Sequence, residues 1–139
     1  MRSAKARAAR WSIGFLAISI AAVCTSANDA PAADALYQVK DGNKVDEQTL
    51  NGWKTWRALA CERCHGAEQE GMVGPSLVES LKKLSKEDFH TLMMNGRPEK
   101  GMPPFSASAM VNENWEGLYA YLKGRSDGKI QPGRLQPMQ

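Results

Sequence analysis

The string Cys61-Glu62-Arg63-Cys64-His65 decides how the rest of this 139-residue chain is interpreted. Residues three and four apart share one face of a helical turn, so the two thiols of this string point the same way. Each thiol can bond one vinyl group of a haem. The imidazole of His65, the next residue, then lies close enough to bind the iron. The spacing therefore predicts covalent attachment of one haem at Cys61 and Cys64, with His65 as the first axial ligand of the iron.

Two other kinds of site also use a Cys-x-x-Cys pair. A thioredoxin-like redox disulfide expects a βαβ context, but the sequence offers no strand-like alternation of useful length. A structural zinc site needs four ligands, and the sequence offers no second ligand pair. Both observations count against a non-haem redox or metal module at Cys61 and Cys64. This alternative would be favoured only if the protein lacked the spectrum of a covalent haem.

The iron also needs a sixth ligand or an open site, for which the methionines and His90 are the candidates. Met102 lies in a Gly-Met-Pro-Pro-Phe segment over residues 101–105, where the proline rings fix φ and stiffen the loop. His/Met ligation requires a methionine on a fixed loop, so Met102 is the predicted sixth ligand. Met93 is expected in the core, and Met72 follows the haem string too closely to reach the opposite haem face.

The histidine ring needs a second contact that fixes its orientation. His65 must present Nε2 to the iron, so its Nδ1–H requires an acceptor. The carbonyl of Pro75, in the pair Gly74-Pro75, is the predicted acceptor, although a proline here also fits a simple turn. Trp115 and Tyr119 are expected to contact the haem edge or the first helix.

A methionine ligand has a functional consequence. Thioether sulfur favours Fe(II) and raises the reduction potential, and a six-coordinate iron offers no place for a substrate. Both features favour outer-sphere electron transfer by a monomeric carrier, so we expect no enzymatic activity. The alternatives are a haem enzyme or gas sensor with a labile sixth ligand, which requires Met102 to be off the iron, or a carrier for another respiratory or sulfur-oxidising partner.

Residues 1–27 have the pattern of a cleaved secretory signal peptide. Four basic residues precede an apolar run from Trp11 to Val23, and small residues follow. The run is shorter than the roughly 20 residues that cross a bilayer, and a retained N-terminal anchor is the alternative. We expect export to the periplasm, loss of Cys24 with the leader and no stable membrane insertion afterwards. All 15 acids follow the leader, so the mature chain is slightly acidic and is not expected to bind nucleic acid.

The region after the leader is predicted to be all-α, with about four short helices around one covalent haem. Asp46 can cap a helix that runs to about Ala60. Ser85 is expected to begin a later helix that ends at Gly96. Residues 75–84 also have helical periodicity. The last helix is predicted from about Asn112 to Lys123, with Gly124 as its end.

These features resemble the class I cytochrome c family. The matching pieces are the haem string with Gly66, the Gly74-Pro75 pair, the Met102 loop and the aromatic last helix. The resemblance implies a small all-α globule in which the first and last helices cross. In many members a glycine and an aromatic residue of the first helix meet the last helix, which implies that role for Gly52 and Trp56.

A narrower resemblance is to the cytochrome c-L group. It rests on residues 45–53, the haem string with Gly66, residues 75–78 and residues 118–128. This group includes electron acceptors of periplasmic alcohol dehydrogenases that contain pyrroloquinoline quinone (PQQ). The resemblance implies a methanol or ethanol dehydrogenase as the electron donor and a downstream cytochrome or oxidase as the acceptor.

The whole chain is therefore expected to have four segments. They are a cleaved signal peptide over residues 1–27, a flexible N-terminal lead-in over 28–45, a cytochrome c domain over 46–125 and an irregular C-terminal tail over 126–139.

Overall fold

The computed structural model describes residues 35–139. The predicted signal peptide, Cys24 and the first part of the lead-in lie outside the described residues. In chain order the elements are β1 (Val39–Lys40), β2 (Lys44–Val45), α1 (Glu47–Ala58), α2 (Glu62–His65), α3 (Leu77–Ser80), α4 (Lys86–Asn95), a 3₁₀ turn (Pro98–Lys100), α5 (Ala109–Ser126) and β3 (Gln136–Pro137). The predicted helical class is confirmed, with one helix more than expected and a small sheet. Over these residues, no helix combines the length and the hydropathy that a membrane span requires.

Two helices begin where the sequence provides capping side chains. Asp46 Oδ1 accepts a hydrogen bond from the Thr49 N–H at 2.8 Å, and Ser85 Oγ accepts one from the Asp88 N–H at 3.0 Å. Each bond satisfies a backbone donor that the first helical turn leaves free. The predicted starts of α1 and α4 are therefore confirmed, as is the end of α4 at Gly96.

Helices α1 and α5 cross at two glycines. Gly52 lies so close to Gly117 that a Cβ atom on either residue would overlap the backbone of the opposite helix. Beside this crossing, the rings of Trp56 and Tyr121 pack with their centroids 6.4 Å apart. The contact that the family resemblance implied for Gly52 and Trp56 is therefore present. It fixes the two helices against each other just before the haem string begins.

Helix α5 is longer than predicted at both ends. It begins at Ala109 and continues to Ser126. Ser108 caps its start, since the Ser108 Oγ accepts a hydrogen bond from the Val111 N–H at 3.3 Å. Gly124 does not end the helix. Its missing side chain instead leaves room for Ile130, since a Cβ atom here would lie 2.5 Å from Ile130 Cδ1.

Both ends of the described chain are more ordered than expected. Strand β2 pairs antiparallel with β1 and parallel with β3, which joins the lead-in to the tail. Ile130 and Leu135 of the tail are buried in the core. Residues 39–45 thus contain two strands where a flexible lead-in is expected from the sequence. Residues 130–137 contain a strand and two buried side chains where an irregular tail is expected. Strands of two residues have no periodicity that a sequence pattern can reveal.

Candidate haem site

The predicted haem string forms a single helical turn after α1. The N–H groups of Cys64 and His65 both donate to the Cys61 carbonyl, at 3.2 and 3.0 Å. Both cysteines are free thiols, of which Cys61 is half-buried and Cys64 is exposed. On a helical turn this spacing puts the two thiols on one face, as two thioether bonds to one haem require.

The surroundings of the Cys61 thiol disfavour its thiolate form. Burial, together with the negative charge of Glu62, raises the pKa of the Cys61 thiol to about 12. A redox-active Cys-x-x-Cys pair needs a thiolate near neutral pH, which a lowered pKa provides. The protonated thiol of Cys61 is compatible with a residue whose final state is a thioether.

The His65 ring is fixed from one side and free on the other. Its Nδ1 atom lies 2.9 Å from the Pro75 carbonyl oxygen, the contact expected from the sequence. Gly74 lies beside the ring, where a Cβ atom would be 2.9 Å from His65 Cε1, so a larger residue would displace the imidazole. With Nδ1 as the donor, the lone pair of Nε2 is available to a metal. Two free thiols and an oriented imidazole are the donor set that haem c requires, so the residues present fit this group.

Backbone hydrogen bonds hold the loop that carries Pro75 against the haem string. The Gly71 N–H donates to the His65 carbonyl at 2.7 Å, and the Gly74 N–H donates to the Cys64 carbonyl at 2.8 Å. Gly71 has a φ of 96°, a conformation that glycine adopts without strain. The glycines of this loop therefore position Pro75 and do more than connect two helices.

Met102 lies half-buried on a loop that is fixed along its length. Its N–H and carbonyl pair with the backbone of Arg97, at 3.1 and 2.8 Å. Gly96 packs against the backbone at Met102 so closely that no Cβ atom would fit there. Farther along, the Phe105 N–H donates to the Met93 carbonyl at 2.9 Å. The rigid setting that the prolines predicted is thus largely a product of backbone pairing.

Four of the other candidate sixth ligands lie in less suitable places. Met93 is only 5% exposed in the core, whereas Met72 is 69% exposed and Met110 is 42% exposed. The His90 ring packs against Trp115, with the centroids 4.3 Å apart. Met94 on α4 and Met138 in the tail are half-buried, as Met102 is. Met102 therefore stays the predicted sixth ligand because of the proline-containing loop that carries it.

Trp115 and Tyr119 pack toward α4, Trp115 against His90 and Tyr119 against Phe89. Their contact with the haem edge or the first helix stays a prediction. The Tyr119 hydroxyl donates to the Leu84 carbonyl at 3.0 Å, just before α4. The aromatic residue of α1 that lies near the haem string is Trp56, whose ring centroid is 6.4 Å from that of His65.

The sequence interpretation missed two residues that connect the haem-string loop to α5. Arg125 Nε donates to Gln69 Oε1 at 2.6 Å, and Gln69 is only 1% exposed. A glutamine in a glycine-rich loop has no periodic signal of burial, so no sequence pattern marks it.

Comparison with known proteins supports the same cofactor. A family model described as cytochrome c oxidase, cbb3-type, subunit III matches residues 47–122. Cytochrome c-555 of Methylococcus capsulatus is 42% identical over 122 residues, which cover 87% of this chain and 91% of that protein. Cytochrome c-553I of Paracoccus denitrificans is 30% identical over 105 residues, which cover 70% of this chain and 46% of that protein. The crystal structure of the c-type cytochrome XoxG from Methylobacterium extorquens AM1 matches with a TM-score of 0.67 and 33% identity, over 74% of this chain and 66% of that one.

The matched region includes the crossing helices and the haem string between them. The chain contains one such string, and its relatives are cytochromes c. The chain therefore belongs to the c-type cytochrome family, as a monohaem electron carrier with covalently bound haem c.

Proposed function

We propose that this cytochrome accepts single electrons from a periplasmic PQQ-dependent methanol or ethanol dehydrogenase and passes them to a downstream cytochrome or oxidase. The residues that resemble cytochrome c-L support this partner. They lie at the start of α1, in the haem string, at the start of α3 and in the second half of α5. The similarity to the c-type cytochrome XoxG over 74% of the chain supports the electron-carrier part of the proposal.

We assign the site residues from the contacts around the haem string. Cys61 and Cys64 would attach the haem, and His65 and Met102 would hold its iron. The observation that carries the assignment of His65 is the 2.9 Å contact of its Nδ1 with the Pro75 carbonyl, which leaves Nε2 free. Met102 is assigned from its half-buried place on a loop held by backbone hydrogen bonds. When bound, haem c supplies reversible one-electron transfer between Fe(II) and Fe(III).

Two groups of the protein act on the reduction potential in opposite directions. The Pro75 carbonyl accepts the Nδ1–H of His65, which raises the basicity of the ring and favours the ferric state. The Met102 thioether favours the ferrous state. With both ligands in place the iron would have no open position, so electron transfer would not require a substrate to bind at the metal.

We propose that the dehydrogenase docks at the loop beside the haem string. Met72 and Val73 of this loop are 69% and 85% exposed. The backbone of the same loop is bonded to Cys64 and His65, so a partner seated here lies next to the haem-bearing turn. Transient electron-transfer complexes use small contacts, below about 1,200 Å², and two exposed apolar side chains suit a monomeric carrier that binds briefly.

Reduction by a purified PQQ-dependent dehydrogenase tests the partner. Stopped-flow absorbance at the haem bands would follow the oxidised cytochrome after mixing with the enzyme and methanol or ethanol. We expect reduction that requires both enzyme and alcohol, with one electron taken per cytochrome. Reduction by dithionite but by none of several such dehydrogenases would exclude the partner and leave the carrier function intact.

A further inference from the structure

Gln69 has a backbone conformation that its surroundings must stabilise. Its φ is 63°, in the left-handed region that is disfavoured for residues with a Cβ atom. Its amide side chain is buried as well, at 1% exposure. A buried polar side chain on a strained backbone persists only where its hydrogen bonds are made. The bonds around Gln69 therefore indicate what this residue does.

The side chain of Gln69 is bonded to α5. Its Oε1 accepts from Arg125 Nε at 2.6 Å, and its Nε2 donates to the Tyr121 hydroxyl at 3.2 Å. Arg125 also donates to the Glu68 carbonyl at 3.0 Å and to the Ile130 carbonyl at 2.6 Å. All three acceptors of the guanidinium group are neutral oxygen atoms. The arginine thus fixes the positions of the loop and the tail, and neutralises no carboxylate in these contacts.

The main chain of Gln69 is bonded to the residues that follow Pro75. Its carbonyl accepts from the Leu77 N–H at 2.9 Å and from Ser76 Oγ at 3.3 Å. Ser76 is joined directly to Pro75, whose carbonyl lies 2.9 Å from His65 Nδ1. A continuous series of contacts therefore runs from α5 to the imidazole of the haem string.

We propose that Arg125 is a positioning residue for His65. By fixing Gln69 it fixes the Pro75 carbonyl, and through that carbonyl the orientation and basicity of the ring. The proposal rests on the assignment of His65 as an axial ligand. A weaker bond from Nδ1–H lowers the basicity of the ring, which destabilises the ferric state and raises the reduction potential while His/Met ligation persists.

The test compares two Arg125 variants with a matched control in the holoprotein. Arg125→Lys keeps the charge but cannot make the three directed bonds, whereas Arg125→Gln also removes the charge. Lys123→Gln removes a charge from the same turn of α5, where the lysine pairs with Asp127. We expect both Arg125 variants to raise the reduction potential and to move the paramagnetically shifted NMR signals of the His65 ring. The control should leave both quantities at their wild-type values.

A double variant locates the effect on the proposed route. Gln69→Leu removes the acceptor of Arg125 Nε, so adding Arg125→Gln to it should move the potential far less than Arg125→Gln does alone. The proposal is overturned if the shifts simply add, or if the Arg125 variants lower the unfolding temperature with the potential and the His65 signals unchanged. A wild-type spectrum without histidine and methionine on the iron would instead overturn the ligand assignment, so the two failures are distinct.

Discussion

Gly52 of α1 packs directly on Gly117 of α5, with no side chain between the two helices. The crossing brings Trp56 against Tyr121, so α5 supports the end of α1 from which the haem string begins. Tyr121 also accepts a hydrogen bond from Gln69, in the loop that follows the string. Helix α5 therefore contacts both the helix that precedes the haem string and the loop that follows it.

Gly52→Ala should destabilise the protein. At an exposed helix position this change would stabilise by up to about 1 kcal/mol, but here the new methyl group overlaps the Gly117 backbone. We expect the free energy of unfolding to fall by about 1–3 kcal/mol, as measured by urea denaturation of the holoprotein. Asn51→Ala, at the neighbouring half-buried position, is the control and should change it by less than about 1 kcal/mol. Equal stability of wild type and Gly52→Ala would show that the helices can separate at no cost.

Stability should fall at alkaline pH because of two tyrosines. Burial, followed by the hydrogen bond to Asp127, raises the pKa of Tyr37 to about 12, and burial raises the pKa of Tyr121 to about 12. The ordinary pKa of tyrosine is about 10, so the unfolded chain loses these protons first. Their contribution to stability is complete below a pH of about 10 and is lost as the pH rises to about 12.

Phenylalanine variants separate the two contributions. Tyr37→Phe and Tyr121→Phe should each reduce the slope of the unfolding free energy against pH in this alkaline range. Titration of the phenol absorbance of the folded protein should show the corresponding protons leaving late. If both variants keep the wild-type slope, other groups cause the alkaline loss of stability.

A charge on the exposed loop should slow electron uptake from the dehydrogenase. Val73→Glu changes a side chain that is 85% exposed, so the haem string and the fold should stay as they are. A carboxylate buried in an apolar contact is costly, and we expect the second-order rate constant of reduction to fall about tenfold. Met110→Glu, on α5, is the matched control, and the reduction potential should be unchanged in both variants. Unaltered kinetics for Val73→Glu would move the docking surface elsewhere.

Local signals explain what could be predicted from the sequence. The spacing of Cys61, Cys64 and His65 and the cap at Asp46 each depend on neighbours within one helical turn. The contact with Pro75 followed from the chemical need of the ring for an acceptor. Each of these features is decided within a short stretch of chain, so a pattern of residue types can reveal it.

The parts that sequence could not predict depend on contacts between distant residues. Arg125 and Gln69 are 56 positions apart, and no periodic pattern connects them. Leu135 is buried although it follows a polar stretch, so no periodic pattern predicts its burial either. The backbone pairing of Arg97 with Met102 is also invisible in the sequence pattern. The prolines predict a stiff Met102 loop, but this backbone pairing also holds the loop in place.

We propose that His65 and Met102 together close the iron of one covalent haem. The visible spectrum of the holoprotein, oxidised and reduced, with and without carbon monoxide, tests it most directly. Wild type should have the weak charge-transfer band of methionine sulfur on ferric iron and should not bind carbon monoxide when reduced. Met102→Ala should lose the band and bind the gas, whereas Met93→Leu, a conservative core change, should behave as wild type. A high-spin wild-type spectrum, or carbon monoxide binding by the reduced wild type, would contradict this ligation and indicate a haem enzyme or gas sensor.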